Sequence, residues 1–187
     1  MAQWIRFETD GTERFGTLTA GTIQIHTGDL FAGPTPTGET LPLDQVRLLA
    51  PVRPGKFIGL WNNFHALAAK TGAAIPAGPL YFLKAPGSVL PPGDTIRKPG
   101  GYDGKVLYEG ELGIVIGRRC TRVDEARAEA AIFGYTCVND VTPRSTSSPP
   151  TRPSRNGRAP KAATRSAPAA RRSPPGSTGR SSASAPS

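Results

Sequence analysis

The sequence predicts a β-rich α+β fold, and three observations carry this prediction. Short apolar runs that alternate with polar residues recur between turn signals such as Asp10-Gly11 and Ala20-Gly21. Few segments carry helix-capping signals, and those segments are short. From Arg144 onward no large apolar residue occurs, so this part cannot build a core. The sequence therefore predicts a small β unit over residues 1–50, a second β-rich domain over 51–142 and a disordered tail over 143–187.

The first region has the pattern of a small sheet. Residues 3–31 alternate in the manner of strands, and the stretch 31–41, which contains Gly33-Pro34 and Pro36, favours a loop. His26 falls at an outward position of this pattern and is predicted to be a surface residue. A domain boundary near residue 51 follows from Pro51 and Pro54-Gly55, which interrupt the apolar pattern.

The second region alternates strands with two short helices. The predicted strands cover residues 57–61, 80–83 with Lys84 at the end, 106–116 and 135–141. One helix is predicted to follow Asn62 or Asn63 as its N-cap and to stop at Gly72. The other is predicted to follow Asp124 as its N-cap.

The basic charge of the chain belongs to its tail. The sequence has 23 Lys and Arg against 14 Asp and Glu, a formal net charge of +9. Nine basic residues and no acidic ones lie between Arg144 and Ser187, so residues 1–143 are neutral. A basic tail could bind nucleic acid by counterion release, but the absence of aromatic residues for base stacking disfavours that function.

The chain lacks the sequence signals of a membrane or secreted protein, and its two cysteines lack those of a metal site. No apolar run approaches the ~18 residues of a transmembrane helix, and the first residues lack a secretory pattern, which indicates a cytoplasmic protein without a membrane partner. Cys120 and Cys137 match no metal-ligand spacing and are predicted to be buried free thiols.

Two acidic residues interrupt the longest apolar strand. Glu109 and Glu111 are two positions apart, so both project from one face with Cα atoms about 6.5 Å apart. Asp140, on a second apolar strand, is the natural third oxygen donor. Three carboxylates without His or Cys suit a hard divalent cation, Mg²⁺ or Mn²⁺.

An ordinary structural explanation competes with this metal site. The two Glu side chains could instead form salt bridges at a strand edge, for example to Lys105, Arg118 or Arg119. The spacing alone does not decide between the two.

Four motifs in order resemble the fumarylacetoacetate hydrolase family. Residues 108–117, YEGELGIVIG, and 134–142, GYTCVNDVT, are similar to the paired signature of that family. Upstream, residues 59–66, GLWNNFHA, and 79–84, PLYFLK, resemble two further family segments. The resemblance covers residues 52–142 and implies that 51–142 is the N-terminal part of the family's mixed β-roll catalytic domain.

The resemblance also implies a function. It assigns Glu109, Glu111 and Asp140 as metal ligands of an enzyme that acts on a β-dicarbonyl or 2-oxo acid. The reaction would be C–C bond hydrolysis, as in aromatic-compound catabolism, or decarboxylation or isomerisation of a 2-oxo or 2-hydroxy-diene-dioate. Lys84 would pair with a substrate carboxylate, or would simply mark the end of its strand.

His65 is the expected general base, although a lone histidine on a short helix more often packs or caps than catalyses. Many family members carry a Glu three residues after this His to orient it, where this chain has Ala68.

The family pattern stops after residue 142. The following segment lacks the expected lysine and Gly-Asp turn, and its Ser, Pro, Arg, Ala and Gly content is typical of a GC-rich gene translated in a shifted frame. The hypothesis is therefore a truncated, frameshifted family member. It predicts unpaired strand edges, an unstable or inactive fragment, and loss of the homodimer that the family resemblance implies.

Overall fold

The computed structural model describes residues 2–98 and 100–144, together with the backbone of residues 164–166 and 169–171. The strands are β1 (Gln3–Thr9), β2 (Thr12–Thr19), β3 (Thr22–Thr27), β4 (Thr35–Pro42), β5 (Arg47–Leu48), β6 (Phe57–Trp61), β7 (Leu80–Lys84), β8 (Val89–Leu90), β9 (Lys105–Ile116), β10 (Ile132–Arg144), β11 (Thr164–Ser166) and β12 (Ala169–Arg171). Two short helices are α1 (His65–Thr71) and α2 (Glu125–Ala130). The β-rich α+β class predicted from the sequence is confirmed.

The N-terminal β unit is an antiparallel meander. Strands β1 to β4 pair in sequence order, and β5 pairs with the outer part of β1. Its core consists of the buried side chains of Ile5, Phe7, Ile23 and Ile25, as expected for alternating strands that cover one apolar face. Burial of these apolar side chains away from water stabilises the unit.

Three local predictions in the first and second regions are wrong. Residues predicted as a loop over 31–41 include strand β4, an exposed edge strand that pairs with β3. His26 is half-buried, with its ring 4.8 Å from the ring of Trp4. Cys120 and Cys137 are free thiols but exposed, because Cys137 lies on the same sheet face as the exposed Leu112, its partner on β9.

The long hairpin-like pair β9–β10 forms the framework of the second region. The strands run antiparallel and keep their register from Val115–Gly134 to Lys105–Arg144. Helix α2 connects them, and its N-cap is Asp124, as predicted. The Asp124 side chain accepts a 2.8 Å hydrogen bond from the backbone N–H of Arg127. A bulge beside Ile132 marks the start of the regular pairing.

A second apolar cluster joins this pair to the N-terminal unit. Trp4 of β1, Val115 of β9 and Phe133 of β10 are all buried and pack together. The backbone of β12 lies between β1 and β10 and pairs with both. The two predicted regions therefore share one sheet, which fixes β9 and β10 relative to the N-terminal unit.

Strands β6 and β7 form a separate antiparallel sheet with α1 between them in sequence. Helix α1 ends at Gly72, whose φ of +66° is a left-handed conformation that glycine adopts without strain. Its N-cap is Phe64 without a side-chain hydrogen bond, so the Asn cap predicted from the sequence is wrong by one or two positions. Lys84 is the last residue of β7.

Two sheet faces expose apolar side chains. One face of the β6–β7 pair consists of Ile58, Leu60, Tyr81 and Leu83, all about half exposed or more. The face of β9 opposite to its acidic residues exposes Val106, Tyr108, Leu112, Ile114 and Ile116. Contiguous apolar surfaces of this kind are unusual on a soluble monomer.

The predicted tail lies almost entirely outside the described residues. Of residues 145–187 the structure describes only the backbones of β11 and β12, which pair with β10. No helix in the described part of the chain is long and apolar enough to cross a membrane.

Candidate metal centre

Strand pairing brings the three predicted acidic residues together. Asp140 of β10 lies directly opposite Glu109 of β9, and Glu111 lies opposite Val138, the residue two positions before Asp140. All three side chains therefore lie on one face of the pair. Each offers a carboxylate oxygen, and these oxygens lie within 4.8 Å of one another.

The burial of the cluster is uneven. Asp140 is buried and Glu109 is exposed, so the group opens towards solvent on the β9 side. Three carboxylates at this separation repel one another unless a cation or a proton compensates them. An arrangement of oxygen ligands that is open on one side is what a hard cation requires if it is also to bind water or substrate.

Lys84 supplies one compensating charge. Its Nζ donates a hydrogen bond to Oδ1 of Asp140, across 56 residues of sequence. Each of the two side chains is only 5% exposed, so this is a buried ion pair. The ammonium also lies 5.8 Å from the centre of the Phe82 ring, within range of a cation–π interaction.

The electrostatic balance of the cluster is visible at Glu111. Burial raises the pKa of the Glu111 carboxyl, and the negative charges of Asp140 and Glu109 raise it further. The Lys84 ammonium acts in the opposite direction and lowers this pKa, but the net shift is upward. Glu111 therefore retains a proton more readily than an isolated Glu, and a divalent cation would relieve the same repulsion.

The alternative explanation for the two glutamates has no support in the described residues. No salt bridge within residues 2–98 and 100–144 joins Glu109 or Glu111 to Lys105, Arg118 or Arg119. The charge that reaches the cluster comes from β7, an element that sequence spacing does not connect with β9 or β10.

His65, the expected general base, lies on α1 and not on the two strands that carry the cluster. It is exposed at the first position of α1. Among the residues that the structure describes, it makes no hydrogen bond to the three acids. Ala68, at the position of the missing family Glu, is the buried residue of α1 and packs the helix against the protein.

Gly113 is a site residue that sequence analysis missed. It lies on the same face of β9 as Glu109 and Glu111, directly opposite Thr136. A Cβ atom at this position would lie 2.8 Å from Cγ2 of Thr136 and 2.9 Å from Cγ2 of Val138. The absence of a side chain at Gly113 therefore permits the close approach of β10, and the only signal in the sequence is a glycine inside a strand.

Comparison with known proteins identifies the family. The family model described as the fumarylacetoacetate hydrolase C-terminal domain matches residues 56–176, and the Rv2993c-like N-terminal model matches residues 2–51. The first match covers more than half of the chain and runs beyond residue 142, where the four motifs end. The chain belongs to the fumarylacetoacetate hydrolase family.

Individual relatives agree with this assignment. Protein Rv2993c of Mycobacterium tuberculosis is 42% identical over 127 residues, which are 68% of this chain and 46% of that protein. An uncharacterised protein of Mycobacterium abscessus matches in structure with a TM-score of 0.75 and 33% identity, over 90% of this chain and 66% of that one. The chain thus spans about half the length of the curated relatives it matches.

Two further solved structures have named activities. The 2-hydroxyhepta-2,4-diene-1,7-dioate isomerase of Mycobacterium marinum matches with a TM-score of 0.67 and 33% identity, over 77% of this chain and 56% of that one. Maleylpyruvate hydrolase of Sphingobium sp. SYK-6, in complex with manganese(II) and pyruvate, has a TM-score of 0.64 and 24% identity, over 90% of this chain and 66% of that one. At that identity the second match shows a common fold. The structural neighbours of this chain therefore include an isomerase and a hydrolase.

Proposed function

We propose that Glu109, Glu111 and Asp140 bind a divalent cation, Mg²⁺ or Mn²⁺, and that this site acts on a β-dicarbonyl or 2-oxo acid by hydrolysis of a C–C bond. The observation that carries the proposal is the convergence of three carboxylate oxygens within 4.8 Å from two different strands. The alternative reaction at the same site is isomerisation or decarboxylation of a 2-oxo or 2-hydroxy-diene-dioate.

The donor set fits a hard cation. All three groups are carboxylates, and no His or Cys belongs to the group. Carboxylate oxygens favour Mg²⁺ and Mn²⁺ over the softer Zn²⁺. Three negative charges exceed the charge of one divalent cation, so the cluster can neutralise that cation completely. When bound, the cation would act as a Lewis acid that polarises the oxygens of an oxo acid.

Two cationic or basic residues of this chain are assigned to the substrate. Lys84 lies beside Asp140 and is proposed to pair with a carboxylate of the substrate. His65, exposed on α1, is proposed to move a proton to or from water or a substrate carbon. This role requires the reacting water or substrate carbon to lie within reach of the His65 ring.

The named relatives support the substrate class. The Mycobacterium marinum structure is of an isomerase of a diene-dioate, and the Sphingobium structure contains manganese(II) and pyruvate. Both the diene-dioate and pyruvate carry an oxygen on the carbon next to a carboxylate, as an enol hydroxyl in the first and as a ketone in the second. A metal flanked by a Lys ammonium is suited to such a pair of oxygens. Cytoplasmic location and the homodimer implied by the family stay predictions.

A metal titration of the whole chain tests this proposal. The chelator-treated 187-residue protein would be titrated with Mn²⁺ by electron paramagnetic resonance, alongside Glu109→Gln and Glu111→Gln. The control is Glu125→Gln, which removes an acidic residue of α2 outside the cluster. We expect one Mn²⁺ per chain in the wild type and in the control, and weakened binding in both cluster variants. Equal binding in all four proteins would overturn the metal site.

The reaction is tested with the metal-loaded protein. Maleylpyruvate and 2-hydroxyhepta-2,4-diene-1,7-dioate serve as substrates, and the products separate the reactions because hydrolysis yields two acids whereas isomerisation yields one of unchanged mass. The proposal is supported if the wild type converts either substrate and Glu109→Gln does not. If the protein binds the metal but converts neither substrate, the metal site stands and the proposed activity is rejected.

A further inference from the structure

The buried ion pair between Lys84 and Asp140 places a protein cation on a proposed metal ligand. Lys84 Nζ donates to Oδ1 of Asp140, and both side chains are almost completely buried. A metal ion that binds Asp140 would meet the ammonium at the same carboxylate. The inference that follows rests on the proposed metal site.

Lys84 is well placed to neutralise the cluster in the absence of metal. Within residues 2–98 and 100–144, the acidic residues of the cluster form one salt bridge, which joins Asp140 to Lys84. Without that ammonium, Asp140 would be a buried and uncompensated charge beside two further carboxylates, which is strongly unfavourable. The pair therefore stabilises the metal-free protein.

The same ammonium opposes a divalent cation. Two positive charges that share the oxygens of one carboxylate repel each other, and the repulsion is strong where burial lowers the local dielectric. Lys84 is the last residue of β7, a strand of the separate two-stranded sheet. Its side chain can therefore leave Asp140 without disturbing the β9–β10 pairing that positions the acids.

We infer that Lys84 is a built-in counter-ion that a divalent cation displaces from Asp140, and that the displaced ammonium then becomes available to the carboxylate of the substrate. Metal and substrate binding are coupled through this one side chain. Metal binding creates the anion-binding group, and the anion in turn compensates the charge of the displaced ammonium.

The test compares Lys84→Met with Lys84→Arg in the full-length chain. Lys84→Met removes the charge and retains an apolar stem of similar length, whereas Lys84→Arg retains the charge. Lys70→Met is the matched control, because Lys70 is an exposed lysine in the last turn of α1. Proteins would be purified with Mn²⁺, treated with chelator, and titrated with Mn²⁺ by electron paramagnetic resonance and then with pyruvate at saturating Mn²⁺.

We expect Lys84→Met to bind Mn²⁺ about tenfold more tightly than the wild type, because a competing positive charge has been removed. Lys84→Arg and Lys70→Met should bind Mn²⁺ as the wild type does. Pyruvate affinity should fall about tenfold or more in Lys84→Met and be retained in Lys84→Arg. In thermal unfolding, added Mn²⁺ should raise the midpoint of Lys84→Met more than that of the wild type.

Different failures have different meanings. If the wild type binds Mn²⁺ and Lys84→Met binds it equally or more weakly, Lys84 organises the ligands and the inference is wrong while the metal site stands. If none of the four proteins binds Mn²⁺, the metal site itself is rejected, and the inference with it. If Lys84→Met binds Mn²⁺ more tightly but binds pyruvate as the wild type does, Lys84 is a counter-ion that the metal displaces. The displaced ammonium then does not bind the substrate carboxylate.

Discussion

Asp140 lies directly opposite Glu109 across the β9–β10 pair, and the acidic cluster exists only because these two strands keep that register. A shift of one residue would move the Asp140 carboxylate to the opposite face of the sheet, away from both glutamates. The cluster is therefore a property of strand pairing, and its stability depends on the groups that hold β9, β10 and β7 together.

Breaking the Lys84–Asp140 ion pair should destabilise the metal-free protein. Asp140→Leu leaves the buried ammonium of Lys84 without its partner, and we expect a loss of about 3–5 kcal/mol in the free energy of unfolding. The double variant Lys84→Met/Asp140→Leu should lose less, because both charges are gone. Urea unfolding in the presence of chelator measures both values. A single variant that is as stable as the double variant would show that the pair is not coupled.

The pKa of Glu111 predicts a pH-dependent effect of Glu111→Gln in chelator. Since the folded-state pKa is raised, the stability that the neutral carboxyl contributes is present below the unfolded value of about 4.3 and is lost as pH rises through the folded value. Glutamine cannot ionise. Glu111→Gln should therefore gain stability relative to the wild type from about pH 4 upward, with a plateau above the folded pKa.

Saturating Mn²⁺ provides the control for that experiment. The cation binds the ionised carboxylate, so the wild type gains more stability from Mn²⁺ than Glu111→Gln does. At neutral pH, Mn²⁺ should therefore reduce or reverse the stability advantage of Glu111→Gln over the wild type. If the wild type and Glu111→Gln differ in stability by the same amount at every pH in chelator, the repulsion of Glu111 by Asp140 and Glu109 is contradicted.

The sequence predicted the members of the cluster better than its surroundings. Strand alternation placed Glu109 and Glu111 on one face, and the apolar run around Asp140 identified the second strand; the structure brings the three together. The partner of Asp140 was not predictable, because Lys84 precedes it by 56 residues and belongs to a different sheet. Local patterns carry no information on such a tertiary contact.

Errors in the fold arose where local composition opposed the tertiary context. Strand β4 contains Pro36 and Gly38, which favour a turn, but it is an exposed edge strand where these residues are tolerated. Cys137 was predicted to be buried because its neighbours are apolar, yet that face of β9–β10 is exposed. The frameshift hypothesis concerns residues of which the structure describes only the backbones of β11 and β12. It stays a prediction, which the nucleotide sequence of the gene would test.

Substitution of His65 should separate proton transfer from metal binding. His65→Asn keeps a polar side chain at the exposed start of α1, and His65 makes no hydrogen bond to the cluster among the described residues. We expect unchanged Mn²⁺ affinity and a loss of turnover of about 100-fold or more on whichever oxo acid the wild type converts. The measurement is a steady-state assay with a matched Mn²⁺ titration. Wild-type turnover in His65→Asn would remove the residue from the proposed mechanism.

The close approach at Gly113 makes a prediction that links strand packing to the metal site. A methyl group in Gly113→Ala would meet Thr136 and Val138, short β-branched side chains of β10 that cannot swing aside. Strands β9 and β10 must then separate locally, which we expect to cost about 1–3 kcal/mol in the free energy of unfolding. Because Glu111 lies opposite Val138, the separation also moves Glu111 away from Asp140.

Gly110→Ala is the matched control for this prediction. Gly110 lies on the same strand but on the opposite face, and an added Cβ would meet no atom within 4 Å. Urea unfolding and Mn²⁺ titration of both variants should show loss of stability and of metal affinity in Gly113→Ala alone. If Gly110→Ala weakens Mn²⁺ binding equally, the effect belongs to backbone flexibility of β9 rather than to the contact with β10. If neither variant changes, strand spacing at Gly113 does not set the position of the acids.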